Sequence, residues 1–272
     1  MDLFYEVKGT GAPIVMVHSP GTDSREWQQI TPILAEQYQV ITFDMRGMGR
    51  SPSPQCPTDI VKDLKDLLDH LNLKQVSLVG HSMGGQVATA FALAYPSIVD
   101  RLILIAPSLS GFVYSQSFMD YMAQINAAAP DIPKMIELST GGPNYRIIME
   151  SEHKDLFLEM HTQYMTKMLT EWKSFDVIWP QVPAIERLDE LAPAALFVQG
   201  TVEWPEMKDI AEHFERVPFI QFSEFADADH MLTLTHGKRL AQLILNFLKE
   251  RRNGAGEAQP DIDTGLSKYG KL

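Results

Sequence analysis

The chain has 272 residues, with 35 acidic against 23 basic side chains and a formal net charge of −12. Hydrophobic residues make up 45% and charged residues 21%, which is a globular composition and not a disordered one. Binding to a phosphate backbone or to an anionic membrane surface needs a surplus of Lys and Arg, so this balance argues against nucleic acid and membrane as partners.

The start of the chain, Met1-Asp2-Leu3-Phe4-Tyr5-Glu6-Val7, alternates like a strand and lacks the basic-then-apolar profile of a signal peptide. No apolar run approaches the ~18 residues of a membrane span. The single Cys56 rules out an intrachain disulfide and fits a reducing compartment. The expectation is a soluble cytoplasmic protein, monomeric or a small homo-oligomer.

Residues 3–7 and 14–18 read as strands joined through a Gly-Pro turn, residues 27–37 as a helix, and residues 39–43 as a third strand. Thr58 is placed to cap a helix in which Ile60, Val61, Leu64, Leu67, Leu68 and Leu71 repeat at helical spacing. Residues 75–79 form an apolar strand that runs at once into Gly80-His81-Ser82-Met83-Gly84-Gly85 and a helix ending near Tyr95. Residues 101–106 are a further buried strand, stopped by Pro107. From 108 to 190 the texture changes: methionines and tryptophans accumulate, no strand is visible, and helices fit 116–128 and 154–172. Strands resume at 194–199 and 219–222, and a last helix covers 238–251. This alternation predicts an α/β fold with a mostly parallel central sheet flanked by helices. Residues 1–107 and 191–252 form its core, 108–190 a helical cap, and 253–272 a polar tail.

Gly80-His81-Ser82-Met83-Gly84 is a G-x-S-x-G pattern between a buried strand and a helix, the context of a nucleophile elbow. A serine on so tight a turn projects clear of the sheet, and glycines on either side remove side chains that would clash. Ser82 is therefore the expected nucleophile. It needs a base to accept its proton and an acid to hold that base, in the chain order Ser, Asp or Glu, His. Among the eight histidines, His230 is preferred as base over His236, which directly precedes the last helix, and His213, which falls in a helical stretch. Glu203 follows the 194–199 strand, where α/β folds place functional groups. It is preferred as acid over Glu206 and Asp209, and Asp227 and Asp229 lie too close to His230 in sequence. No zinc spacing and no phosphate loop is visible, so no metal and no cofactor is expected.

These residues together resemble the α/β-hydrolase fold family, in particular its small carboxylesterases and 3-oxoadipate enol-lactonase-like members. The resemblance is carried by Val17-His18-Ser19-Pro20-Gly21-Thr22-Asp23, similar to the family's oxyanion loop, and by Asp44-Met45-Arg46-Gly47-Met48-Gly49-Arg50-Ser51, similar to its D-x-R-G-x-G-x-S turn. The elbow, Gly200–Glu203 (with Glu for the family's Asp) and His230 complete it. It implies two-step acyl transfer through an acyl-enzyme on Ser82. Met83 N–H would be one oxyanion donor. The second would come from Pro20, which has no N–H, so Gly21 or Ser19 must replace it. Asp229 stands where the family carries a small residue.

The resemblance implies a small-molecule ester as substrate. His18, His81, Met122, Met160, Trp179 and Met231 are expected at the substrate pocket. Further candidates from the 108–190 segment are Met119, Tyr121, Phe157, Tyr164, Met168 and Trp172, and Arg146 is a candidate for a substrate carboxylate. A lactonase or C–C bond hydrolase using the same triad is the enzyme alternative. A weakly active ligand-binding module on the same scaffold is the alternative from another class.

Overall fold

The computed structural model describes residues 1–250. The polar tail expected at 253–272 lies outside the described residues, as do residues 251–252 of the expected core. Seven strands form one sheet in the order β1-β3-β2-β4-β5-β6-β7. They are β1 Tyr5–Lys8, β2 Pro13–Val17, β3 Gln39–Phe43, β4 Val76–His81, β5 Val99–Ile105, β6 Ala194–Val202 and β7 Ile220–Asp229. Only β1 is antiparallel, pairing with β3; every other pairing is parallel.

Parallel strands covered on both faces must be apolar throughout, and β2, β4 and β5 are almost entirely buried. One face is packed by α2 Ile60–His70 and α3 Met83–Ala94 around Phe43, Leu64, Phe91 and Leu104. On the other, α1 Thr31–Leu34 and α10 Gly237–Lys249 cover Met16, Val79, Ile103 and Val198.

Three local expectations are corrected. Residues 27–37 are not one helix: a 3₁₀ turn at Ser24–Trp27 is followed by the four-residue α1. Pro32 has no N–H to continue a helical ladder, so the path restarts there. The cap of α2 is Asp59, whose carboxylate accepts from Lys62 N–H, while Thr58 makes an isolated bridge to Val177. The last strand is far longer than residues 219–222: β7 continues to Asp229 along β6. An edge strand needs only one apolar side, so its polar sequence reads as loop.

Between β5 and β6 lie α4 Gln116–Ala127, α5 Ile132–Thr140, α6 Arg146–Glu150 and α7 Lys154–Thr170. Expected helices at 116–128 and 154–172 correspond to α4 and α7, whereas α5 and α6 are additional. After β6 come α8 Pro205–Phe214 and, beyond β7, the short α9 Leu232–Thr235. No described helix is long and apolar enough to cross a membrane.

Candidate active site

Ser82 sits in the turn between β4 and α3 at φ 54°, ψ −120°, a left-handed conformation that a serine adopts only under constraint from its surroundings. Its N–H is held by the Ile105 carbonyl at 2.9 Å. The constraint explains the glycines: a Cβ on Gly80 would run into the Gly84 carbonyl, and one on Gly84 into the Val17 carbonyl of β2. Ser82 is only partly buried and lines a cavity of about 260 Å³.

Glu203 and His230 meet because β6 and β7 end together. Val202 pairs with Asp229, so the next residue of each strand leaves the sheet beside the other. His230 Nδ1 lies 3.2 and 3.0 Å from the two Glu203 carboxylate oxygens, with side chains 9% and 5% exposed. Burial by itself would lower the His230 pKa, but the Glu203 charge and hydrogen bond outweigh it and hold the imidazole above its ordinary value. His230 lines the same cavity as Ser82. Among the described residues no hydrogen bond joins Ser82 Oγ to His230 Nε2; such pairs are commonly loose without substrate.

Asp229, for which the sequence gives no reason, is fully buried and accepts N–H groups from Ile148 at 2.8 Å and Met231 at 3.1 Å. It thereby fastens α6 to the His230 turn. Burial raises its pKa, opposed by those backbone donors.

The loop after β2 is built on a second buried acid. Glu26 is 0% exposed, and its Oε2 accepts Ser19 N–H at 3.1 Å, Ser19 Oγ–H at 2.9 Å and the Thr22 hydroxyl. Its Oε1 lies 2.6 Å from His81 Nδ1. Burial would raise the Glu26 pKa, but His81 and these donors bring it down to about 2. The expectation that Ser19 supplies an oxyanion donor is thereby corrected, because both its N–H and its hydroxyl are committed to Glu26. Pro20 and Gly21 line the cavity, and Gly21 lies in the left-handed region at φ 80° under His161. Met83 opens α3, so its N–H is one of the donors a helix start leaves unpaired by its own backbone.

Most expected pocket residues are elsewhere. His18 is fully buried; its Nε2 accepts Met45 N–H at 2.9 Å and its Nδ1 faces the Ser19 carbonyl at 2.8 Å, so it pins the loop to the turn after β3. His81 is equally buried, its Nε2 on the His230 carbonyl at 2.8 Å. Met160, Phe157 and Met231 pack together with Ile148 and Leu234, and Trp179 packs on the sheet's core. Trp172 Nε1 donates to the Gly47 carbonyl, Met119 is exposed, and Arg146 is exposed beside Glu150. Met122, Tyr121, Tyr164 and Met168 do line the cavity.

The structure adds His161, Tyr145 and Glu206 to the cavity wall. His161, on α7, is joined through Nε2 to Ser139 Oγ at 2.8 Å, and burial pushes its pKa down to about 4, opposed by the Gly21 backbone. Its place in the 108–190 segment hid it from an argument based on chain order. Glu206, considered only as a rival acid, bonds Ser115 and not His230. Asp209 does not reach the cavity.

A family model described as alpha/beta hydrolase fold matches residues 12–237. A soluble epoxide hydrolase of Corynebacterium sp. is 36% identical over 106 residues, covering 38% of this chain and 37% of that protein. The chain spans 31% to 37% of the length of the curated relatives that it matches at 36% identity. Among solved structures, the enol-lactonase of Burkholderia xenovorans superposes with TM-score 0.74 at 18% identity, covering 91% of this chain and 96% of that one. The esterase EaEST of Exiguobacterium antarcticum gives 0.73 at 20%, again over 91% and 96%.

Proposed function

The chain belongs to the alpha/beta hydrolase fold family, and from that premise we propose that it is a serine esterase acting on small to medium carboxylic esters. One observation carries the reading: a serine held at a left-handed φ of 54° shares a cavity with an imidazole already paired to a carboxylate.

In this reading Ser82 Oγ attacks the ester carbonyl carbon while His230 Nε2 takes its proton. Glu203 holds the Nδ1–H and offsets the imidazolium charge. As the tetrahedral adduct collapses, the ester C–O bond breaks and His230 returns the proton to the departing alcohol. Water, deprotonated by the same imidazole, then cleaves the acyl-Ser82 ester to release the acid. The developing oxyanion is received by Met83 N–H and, with Pro20 lacking a donor and Ser19 tied to Glu26, by Gly21 N–H. The helices between β5 and β6 act as a cap whose Tyr121, Met122, Tyr164 and Met168 provide apolar surface for the substrate.

Hydrolysis of a carboxylate-bearing enol-lactone or ring-cleavage product finds less support. Among the described residues no Lys or Arg lines the cavity, and the expected carboxylate partner, Arg146, is on the surface. The binding-module alternative draws on the second oxyanion donor, which has to come from Gly21 in place of Pro20; loss of one such donor costs about 10²–10³ in rate.

The test is turnover of a short-chain p-nitrophenyl ester and labelling by a fluorophosphonate, comparing wild type with Ser82→Ala. Activity and labelling that vanish together in the variant support the esterase. Labelling without turnover supports a binding protein with a weakened oxyanion site, and absence of both in wild type defeats the catalytic reading.

A further inference from the structure

One part of the cavity wall combines four aromatic rings with a carboxylate: Tyr114, Phe118, Tyr121, Trp204 and Glu206. The four rings are mutually packed. Tyr114 and Phe118 stack with centroids 4.5 Å apart, Phe118 meets Trp204 edge-on at 5.3 Å, and Tyr121 lies 4.9 Å from Trp204. Ser108, which lines the cavity beside these rings, donates its N–H to the Ser82 carbonyl at 3.0 Å.

Glu206, in the first turn of α8, is 7% exposed. One of its oxygens accepts from Ser115 Oγ, and the other carries no hydrogen bond among the described residues. Ser115 and the positive end of α8 offset part of its charge, and the side chain lines the cavity. Among the described residues neither Lys nor Arg lines this cavity.

A ring face carries negative quadrupole density and attracts a cation set over it, most strongly for Trp and where water is excluded. Trialkylammonium groups suit such a wall better than a primary amine. Their charge is spread over methyl groups that need few hydrogen bonds, and the methyls fill an apolar cavity. The net charge of −12 raises the local concentration of cations around the molecule.

We propose that the cavity selects a quaternary ammonium ligand, seated among Tyr114, Phe118, Tyr121 and Trp204 and paired with Glu206, and that the preferred ester carries such a group in its alcohol portion. The turnover half of this proposal rests on the serine-esterase reading, whereas the binding half stands without it.

Both halves are measured separately. For binding, full-length Ser82→Ala protein is titrated calorimetrically with choline and with its neutral isostere 3,3-dimethylbutan-1-ol at matched ionic strength. Choline is expected to bind about tenfold more tightly or better. Glu206→Gln, which keeps an acceptor for Ser115, and Trp204→Leu should each remove most of that preference while the melting curve shows a folded protein. Choline binding no tighter than the alcohol overturns the proposal, as does a preference that both variants retain.

For turnover, kcat/KM is compared between butyrylcholine and 3,3-dimethylbutyl butyrate. A preference of about tenfold for the cationic ester supports the substrate assignment. Equal turnover of the two without choline binding defeats the ammonium site and leaves the esterase standing. Choline binding without turnover of either ester defeats the esterase and leaves the site.

Discussion

Two glutamate–histidine pairs lie side by side in this molecule, Glu203–His230 and Glu26–His81, with imidazole centroids 4.9 Å apart. Their contact distances are similar and both carboxylates are buried. The difference is in the second ring nitrogen. His81 spends Nε2 on the His230 carbonyl, so it has no position from which to take a proton from a substrate. His230 leaves Nε2 without a hydrogen bond among the described residues, on the wall of the cavity that Ser82 lines. Residue type and pairing thus make a strut in one place and a candidate base in the other. An uncommitted nitrogen facing the cavity separates them.

The largest expected effect tests that separation directly. His230→Gln should lower kcat/KM for a p-nitrophenyl ester by about 10⁴ or more. His81→Gln should keep the activity of the folded fraction within about tenfold and should lose about 2–4 kcal/mol in urea unfolding, because it breaks a buried network. If His81→Gln proves as inactive as His230→Gln while remaining folded, the distinction fails.

Next, Glu203→Gln keeps the shape of the cavity pair but removes its charge and should reduce kcat by about 10²–10⁴. Glu26→Ala strips acceptors from Ser19, Thr22 and His81, and should cost about 3–5 kcal/mol of stability measured by denaturant titration.

A smaller effect is expected from Gly21→Ala. Gly21 sits at φ 80° with His161 Nδ1 where a Cβ would go, so the loop must shift and the proposed donor moves with it. A fall of about 10–100-fold in kcat with little change in melting temperature is the expected result. An unchanged kcat would remove Gly21 from the oxyanion role.

The smallest effects are in pH dependence, where the two pairs point in opposite directions. His230 is held above its ordinary value, chiefly by Glu203 acting against burial. As base it must be neutral, so kcat/KM should fall as pH drops through a value above about 6.5, and this limb should move down in Glu203→Gln. Glu26 is held near 2, below its ordinary 4.5. Its contribution to stability is complete above 4.5 and is lost as pH falls from 4.5 towards 2. Urea midpoints of wild type and Glu26→Gln should therefore converge over that range. A constant gap between them would contradict the assignment.

The elbow was legible because its constraint is local: a serine between glycines at a strand–helix junction is a statement about a few residues and the space around them. Buried parallel strands were legible for a similar reason, since having both faces covered demands an unbroken apolar run. The polar β7 was not, because as an edge strand it borrows its ladder from β6 and needs no apolar alternation of its own. Asp229 had no reading in the sequence, and its explanation is the Ile148 N–H at 2.8 Å, brought from a segment 81 residues away. Chain order carries no information on which faces of α7 and α8 look into the cavity, so the sequence names neither His161 nor Glu206 as a wall residue.

What the sequence determined by itself is what covalent structure and short-range sterics impose: the tight turn at Ser82, the missing N–H of Pro20 and the unbroken apolar runs of the buried parallel strands. The tertiary structure decided which histidine keeps an open nitrogen, that Ser19 is bound to Glu26, and that aromatic rings and a carboxylate share the cavity with the nucleophile. Those outcomes depend on distances between segments far apart in the chain. Such distances are set by how the helices between β5 and β6 pack onto the sheet, an energy spread over many contacts and written in no single motif.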